Sequence, residues 1–174
     1  MLTLMRFNIF LIFIFIFGYM GIKLQHYIKT ENKIQFNDSI KTFFFMSILF
    51  IASLTMFPIE FSTKGLFEIN LIPFKTIFIF ISSGNLIDIL ANIFGNTILF
   101  APLGFFSYFV YKGNKYKSLK LCLLGTILVE TTQLIIPARL SDIDDIILNF
   151  LGGYIGVIIA IKFTQYINSK QKSS

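Results

Sequence analysis

Apolar runs separated by short polar stretches set the pattern of this chain. Five of the runs approach the roughly 20 apolar residues that a helix needs to cross a bilayer. They cover residues 5–22, 42–59, 88–111, 118–136 and 146–163. A shorter run at residues 74–82 leads into the turn-forming sequence Ser-Ser-Gly-Asn. We therefore predict an all-α fold, a polytopic transmembrane helical bundle with about five spans, and expect residues 74–82 to be interfacial or re-entrant.

The composition supports this assignment to the membrane. The chain has 174 residues, of which 55% are hydrophobic and only 14% are charged. A soluble domain of this length could not bury so much apolar surface, so the excess must face lipid. The first run resembles a signal peptide in position, but no small-x-small cleavage site follows it. We therefore expect a retained span there.

The net charge of +6 predicts a topology. Lysines concentrate in the loop after the first run, in the loop after the third and in the C-terminal tail, while Arg6, Lys64, Lys75 and Arg139 fall on the other side. Because cytoplasmic loops carry the excess of basic residues, five spans place the N-terminus outside and the C-terminus in the cytoplasm. No basic stripe with interleaved aromatics indicates nucleic acid, so we expect the lysines to meet anionic lipid.

Three of the predicted spans carry polar side chains on one helical face, because residues three or four positions apart lie on the same side of a helix. The third span carries Asp88, Asn92 and Asn96, and the fourth carries Glu130 and Gln133. The fifth begins with Asp142, Asp145 and Asn149 and continues that face with Gly152 and Gly156. Polar groups in hydrocarbon are costly and often functional, whereas two glycines four apart are typical of close helix packing.

The depths of these groups predict a single cluster. At 1.5 Å per residue, Asn96, Glu130 and Asn149 lie roughly 12, 10 and 5 Å inside the outer ends of their helices. We therefore expect the three polar faces to meet in the outer half of the membrane. Arg139, in the adjacent loop, would neutralise part of the negative charge.

Several of these residues also have a structural interpretation. Asn96 and Gln133 could be interhelical hydrogen-bonding groups. Asp142 or Asp144 could cap the start of the fifth helix, where carboxylates complement the free N–H groups. Glu130 is hardest to explain this way, because a carboxylate so deep in the membrane needs a partner, a proton or a water-filled cavity.

Four further residues are interpreted as structural or solvated. Pro102 and Gly104 in the third span predict a kink or a close helix contact. Cys122 has no second cysteine to pair with, and His26 lies in the basic first loop. Neither a zinc site nor a Ser-His-Asp triad is indicated. We predict no metal and no cofactor, and the sequence identifies no catalytic residue.

Four sequence elements occur in an order that resembles the VanZ-like family. They are N-L-I-P-F at residues 70–74, N-x-x-L-F-x-P-L-G-F from Asn96 to Phe105, E-x-x-Q at Glu130 and Gln133, and R-x-x-D-x-x-D-x-x-x-N-x-x-G carried by Arg139, Asp142, Asp145, Asn149 and Gly152. The resemblance divides the chain into an N-terminal helix and basic cytoplasmic loop (1–42), a VanZ-like transmembrane domain (43–162) and a short basic cytoplasmic tail (163–174). It implies a bacterial membrane protein acting at the outer surface, and the family name implies an association with resistance to teicoplanin, a lipidated glycopeptide antibiotic.

Three functions fit these observations. The first is a non-enzymatic pocket that binds a membrane lipid, a lipid-linked cell-wall precursor or the lipidated antibiotic. The second is an intramembrane enzyme acting on a lipid-linked substrate, with Glu130 as general base and Asp142 and Asp145 holding Mg²⁺. The third is a transporter or a subunit of a membrane complex, and the Gly152/Gly156 pair also permits a homo-oligomer. We favour the first, because the sequence has no phosphate loop, nucleophile elbow or zinc signature.

Overall fold

The computed structural model describes residues 16, 18–19, 21–22, 33–56, 68–135 and 140–173. Most of the first predicted span lies outside these residues, as does Arg139. In chain order the elements are α1 (Lys33–Met56), β1 (Glu68–Asn70), α2 (Lys75–Ser83), α3 (Leu86–Ile89), a π-helical turn (Leu90–Phe94), α4 (Gly95–Val110), α5 (Lys115–Ile135), β2 (Leu140–Asp142) and α6 (Ile143–Ser173).

Helices dominate the described residues, which confirms the all-α class. Within the part of the chain that the structure describes, three helices are long and apolar enough to cross a membrane, over Phe36–Thr55, Asn92–Val110 and Ile143–Lys170. Helix α5 occupies the fourth predicted span but carries lysines near one end and Glu130 near the other, and it is not among these three. The number of five spans therefore stays a prediction.

The predicted helix bounds agree best with the structure for the third span. Helix α3, the π-helical turn and α4 follow one another without a break from Leu86 to Val110, close to the predicted 88–111. Helix α6 continues to Ser173, ten residues beyond the predicted end. Its last turns are polar and mostly exposed, so the apolar run predicted the length in contact with lipid or protein and not the full helix.

Helix α4 lies at the centre of the bundle, where it packs against α6, α1 and α5. Pro102 lies inside α4, and the helix continues past it. The buried core around α4 consists of Phe50, Ile51, Leu99, Phe100, Leu103, Cys122 and Val129. A second, aromatic cluster includes Phe36, Phe43, Phe105, Phe106, Phe109 and Phe163. These two clusters fix the positions of α4 and α6, the helices that carry several of the polar residues described below.

Glycines bring α4 and α6 into backbone contact. A Cβ atom at Gly152 would overlap the carbonyl oxygen of Thr97, and one at Gly156 would overlap the backbone of α4 one turn further on. Gly104 on α4 faces the backbone of α6 in the same way. Such close approach is possible only for small residues, and it fixes the relative height of the polar groups on the two helices.

Two short strands, which the apolar pattern did not predict, join distant parts of the chain. Strand β1 pairs in parallel with β2, with Asn70 opposite Asp142. This pairing brings the start of α2 to the start of α6. Residues 74–82, predicted to be interfacial or re-entrant, form helix α2, which turns at Gly84 into α3. Helices α2 and α3 thus form a helical hairpin whose base lies at the strand pair.

Candidate functional site

The side chains of the strand pair form the base of the site. The Asn70 amide donates to the Asp142 carboxylate at 3.1 Å and to the Thr76 hydroxyl at 3.0 Å. The Thr76 hydroxyl donates in turn to the second oxygen of Asp142. Asp142 also accepts from the backbone N–H of Asp144 at 2.9 Å, which makes it the N-terminal cap of α6. Both carboxylate oxygens of Asp142 are therefore occupied.

Asp144 caps a different helix from the one it belongs to. Its fully buried carboxylate accepts from the backbone N–H groups of Phe74, Thr76 and Ile77 at the start of α2. Phe74 has a φ of 66°, a conformation that is uncommon and strained for a bulky residue. Asp144 thus holds the base of the hairpin at its most strained residue. We expected Asp142 or Asp144 to cap the fifth span; Asp142 does so, whereas Asp144 serves α2.

Glu130 fastens α5 to the same base. It is 3% exposed, and one of its oxygens accepts from the Ser141 hydroxyl at 3.2 Å and from the Asp142 backbone N–H at 3.1 Å. When the Gln133 side chain is oriented so that its amide nitrogen faces Glu130, that nitrogen lies 3.1 and 3.2 Å from the two carboxylate oxygens of Glu130. The Glu130 carboxylate therefore has hydrogen-bond donors within the protein itself. We call Asn70, Thr76, Glu130, Gln133, Ser141, Asp142 and Asp144 the acidic bridge.

A second group of polar residues lies one or two helical turns further along α6. The Asn96 amide donates to the carboxylate of Asp145, which ties α4 to α6. Asp145 is half-buried. Asn96 directly follows the π-helical turn and Gly95, and π-helical turns are frequent at functional sites. The contact brings together two residues that the spacing of polar positions had placed on facing surfaces.

Two buried oxygens beside this contact have no hydrogen-bond donor or acceptor among the described residues. They are the Asn149 side-chain oxygen and the Thr126 hydroxyl, and the two residues are 2% and 0% exposed. Such atoms are rare in protein interiors, because leaving a buried polar group unpaired is costly. We call Asn96, Asp145, Asn149 and Thr126 the inner polar group.

The structure places six of the seven residues predicted for the cluster in these two adjoining groups. They are Asn96, Glu130, Gln133, Asp142, Asp145 and Asn149. The seventh, Arg139, lies outside the described residues. The polar pattern did not place in the cluster five residues that the structure adds: Asn70, Thr76, Ser141, Asp144 and Thr126. Of these, Asn70 was noted only within the N-L-I-P-F element and Asp144 only as a possible helix cap. Two of them carried a usable signal: Asn70 opens the N-L-I-P-F element, and Thr126 lies one turn before Glu130 on the same face.

Apolar side chains flank the cluster on the side of the hairpin. Helix α2 and the segment from Leu86 to Asn96 extend from the cluster for about 13 and 15 Å. Their large apolar side chains face outward, and Phe78 and Ile87 are 70% and 76% exposed. In the other direction Asn96 lies about 21 Å from Val110 along the helix axis. The polar cluster therefore has an apolar, accessible surface next to it and most of the bundle below it.

Comparison with known proteins identifies one family. The family model described as VanZ/LLP1 matches residues 9–164, which is nearly the whole chain and reaches further towards the N-terminus than the four sequence elements did. No curated protein and no solved structure gives a significant match.

Proposed function

The chain belongs to the VanZ-like family, and from that premise we propose that it binds an amphiphile of the outer leaflet without chemically changing it. The family indicates a membrane protein of the glycopeptide-resistance type. The amphiphile is a membrane lipid, a lipid-linked cell-wall precursor or a lipidated glycopeptide. Lower susceptibility to the lipidated antibiotic would then follow from competition at, or capture by, this site.

The observation that carries the proposal is a buried polar cluster directly beside an exposed apolar hairpin. An amphiphile needs both surfaces, since its headgroup has to exchange water for hydrogen bonds while its chains stay in contact with apolar groups. Asp145 and Asn149 supply oxygens that the bundle leaves with spare hydrogen-bonding capacity. Phe78 and Ile87 supply part of the apolar surface.

The lysine distribution supports an outer position for this cluster. Lys112 lies between α4 and α5, and Lys115 is the first residue of α5. Cytoplasmic loops carry the excess of lysines. From that end the cluster lies about 21–23 Å along the helices, in a hydrocarbon core about 30 Å thick. The cluster would then lie in the outer leaflet of the bacterial membrane, with the C-terminus in the cytoplasm.

The acidic bridge supports binding over catalysis. A general base must offer a lone pair to the proton it removes. Glu130, proposed for that role in the enzymatic alternative, already accepts from Ser141 and Asp142, and Gln133 lies against its carboxylate. Asp142, proposed as a magnesium ligand, has both oxygens engaged.

The test is selective protection in a susceptible Gram-positive host that lacks a homologue. We expect the intact protein to lower susceptibility to a lipidated glycopeptide and not to a non-lipidated one. Asp145→Asn should abolish this protection at equal expression. Asp38→Asn is the matched control, because Asp38 is an exposed carboxylate on α1, away from the cluster.

Binding is measured separately with a photoactivatable lipid-linked probe and the purified full chain. Labelling of the intact protein and of Asp38→Asn, but not of Asp145→Asn, would support the site. Equal labelling of all three proteins would refute it. If the intact protein is labelled but gives no antibiotic protection, the proposal of amphiphile binding stands and the proposal of a resistance activity is refuted.

A further inference from the structure

Thr126 differs from the other threonines of the long described helices α1, α4, α5 and α6. The hydroxyls of Thr55, Thr97, Thr131, Thr132 and Thr164 each donate to the backbone carbonyl four residues earlier. Thr126 is fully buried and makes no hydrogen bond with any described residue. The local acceptor that satisfies the other threonines is thus left unused, and the Thr126 hydroxyl needs a partner from elsewhere.

Asn149 lies opposite Thr126 in the interface between α5 and α6. The two helices are antiparallel, because Glu130 contacts Asp142 at the start of α6 and Cys122 contacts Gly153 further along it. A Cβ atom at Gly153 would lie 2.7 Å from the Cys122 side chain. One turn from this contact on each helix, towards the acidic bridge, are Thr126 and Asn149. Two buried oxygens that have no partner among the described residues therefore face the same interface at the same height.

Asp145 adds a carboxylate to these two oxygens. It lies one turn before Asn149 on the same face of α6, half-buried, with Asn96 as its described donor. Among the described residues, no lysine, arginine or histidine forms an ion pair with Asp145. The inner polar group therefore combines a carboxylate, an amide oxygen and a hydroxyl, which together are rich in acceptors and poor in positive charge.

We infer that the inner polar group binds a compact cationic group at Asp145, Asn149 and Thr126. These three oxygen ligands carry one negative charge, from Asp145, which suits a monovalent cation: either an alkali-metal ion or the primary ammonium of a lipid headgroup. A phosphate would be repelled by the carboxylate, and a water molecule would leave its charge unmatched. The lipid source rests on the proposed function, whereas the free ion does not.

The experiment measures the thermal midpoint of the purified full chain in detergent. One arm compares sodium chloride with N-methylglucamine chloride at equal ionic strength. The other arm adds phosphatidylethanolamine or phosphatidylcholine, which differ in whether the headgroup nitrogen carries hydrogens. We expect a rise of a few degrees with sodium if the source is the free ion, or with phosphatidylethanolamine over phosphatidylcholine if the source is the headgroup.

Two variants and a control assign the effect to the site. Thr126→Val keeps the shape of the side chain but removes the hydroxyl, and Asn149→Leu removes the amide oxygen. Both should lose the rise, whereas Thr131→Val, at an exposed position on the same helix, should keep it. Should Asn149→Leu fail to fold, Thr126→Val alone decides.

A midpoint that responds to neither sodium nor phosphatidylethanolamine would overturn the inference. So would a rise that all the variants share. Thr126→Val would then be expected to raise the midpoint in every buffer, because it removes a buried unpaired hydroxyl. Labelling by the lipid-linked probe that does not depend on a headgroup ammonium would leave the proposed function intact and remove only this inference.

Discussion

Asp144 and Asp145 are neighbours in sequence, yet they belong to regions with opposite character. Asp144, in the acidic bridge, is fully buried and accepts from three backbone N–H groups. Asp145, in the inner polar group, is half-buried and has one side-chain donor among the described residues. Backbone donors cannot move away unless a turn of helix unfolds. A carboxylate that accepts from them therefore has a structural role. In this bundle a buried or half-buried acid is therefore a candidate for function when its partners are few and belong to side chains.

The largest expected effect is the loss of the cap on α2. Asp144→Ala would leave three partly buried N–H groups without their acceptor and release the strained Phe74, so we expect the free energy of unfolding to fall by about 3 kcal/mol or more. The measurement is the thermal midpoint in detergent, with Asp38→Ala as an exposed control. A midpoint equal to that of the control would show that Asp144 is not structural and would remove the contrast with Asp145.

The next effect tests the contact that sets the height of the two regions. Gly152→Ala would drive a methyl group into the Thr97 carbonyl, and we expect a loss of about 2 kcal/mol from overpacking. Gly95→Ala is the matched control, because a Cβ there meets nothing within 4 Å. Equal midpoints for the two variants would contradict the close contact between α4 and α6.

A smaller effect is expected at Glu130. The amide of Glu130→Gln can still accept from Ser141 and Asp142 but loses the charge, so we expect about 1 kcal/mol of destabilisation. Antibiotic protection should decline only as far as the amount of folded protein does. Complete loss of protection at normal stability would move Glu130 from the acidic bridge into the binding machinery.

The smallest effect on stability, and the largest on function, is expected at Asp145. In Asp145→Asn the new amide oxygen can still accept from Asn96. We therefore expect the free energy of unfolding, followed by the thermal midpoint, to change by no more than about 0.5 kcal/mol. Protection and probe labelling should nevertheless be lost. If the midpoint falls as far as that of Asp144→Ala, Asp145 has a structural role like that of Asp144, and the proposed difference between the two residues is wrong.

Hydropathy and helical spacing were sufficient to predict the helices and part of the site. The segment from Leu86 to Val110 matches its apolar run within two residues at either end. The pairing of Asn96 with Asp145 follows from polar faces placed at similar depth on separate helices. These features are local or nearly so, because each depends on the order of residues along a single helix.

Helical spacing predicted Glu130, Gln133 and Asp142 of the acidic bridge, but not the contacts that join them to the start of α2. Asp144 lies off the polar face of α6, and its partners begin 70 positions earlier in the chain, so no spacing within α6 indicates them. Strands of three residues, such as β1, carry too little alternation to be recognised. Tertiary contacts decide both.

The cap on α2 also bears on the order of events during synthesis. The hairpin leaves the ribosome well before Asp144, which is 68 residues beyond Thr76. Until Asp144 has been synthesised, the first N–H groups of α2 lack the carboxylate that accepts from them in the folded chain. A nascent chain that stops before residue 140 should therefore present an unfinished hairpin to membrane quality control, and its degradation would mark how late in translation this fold becomes complete.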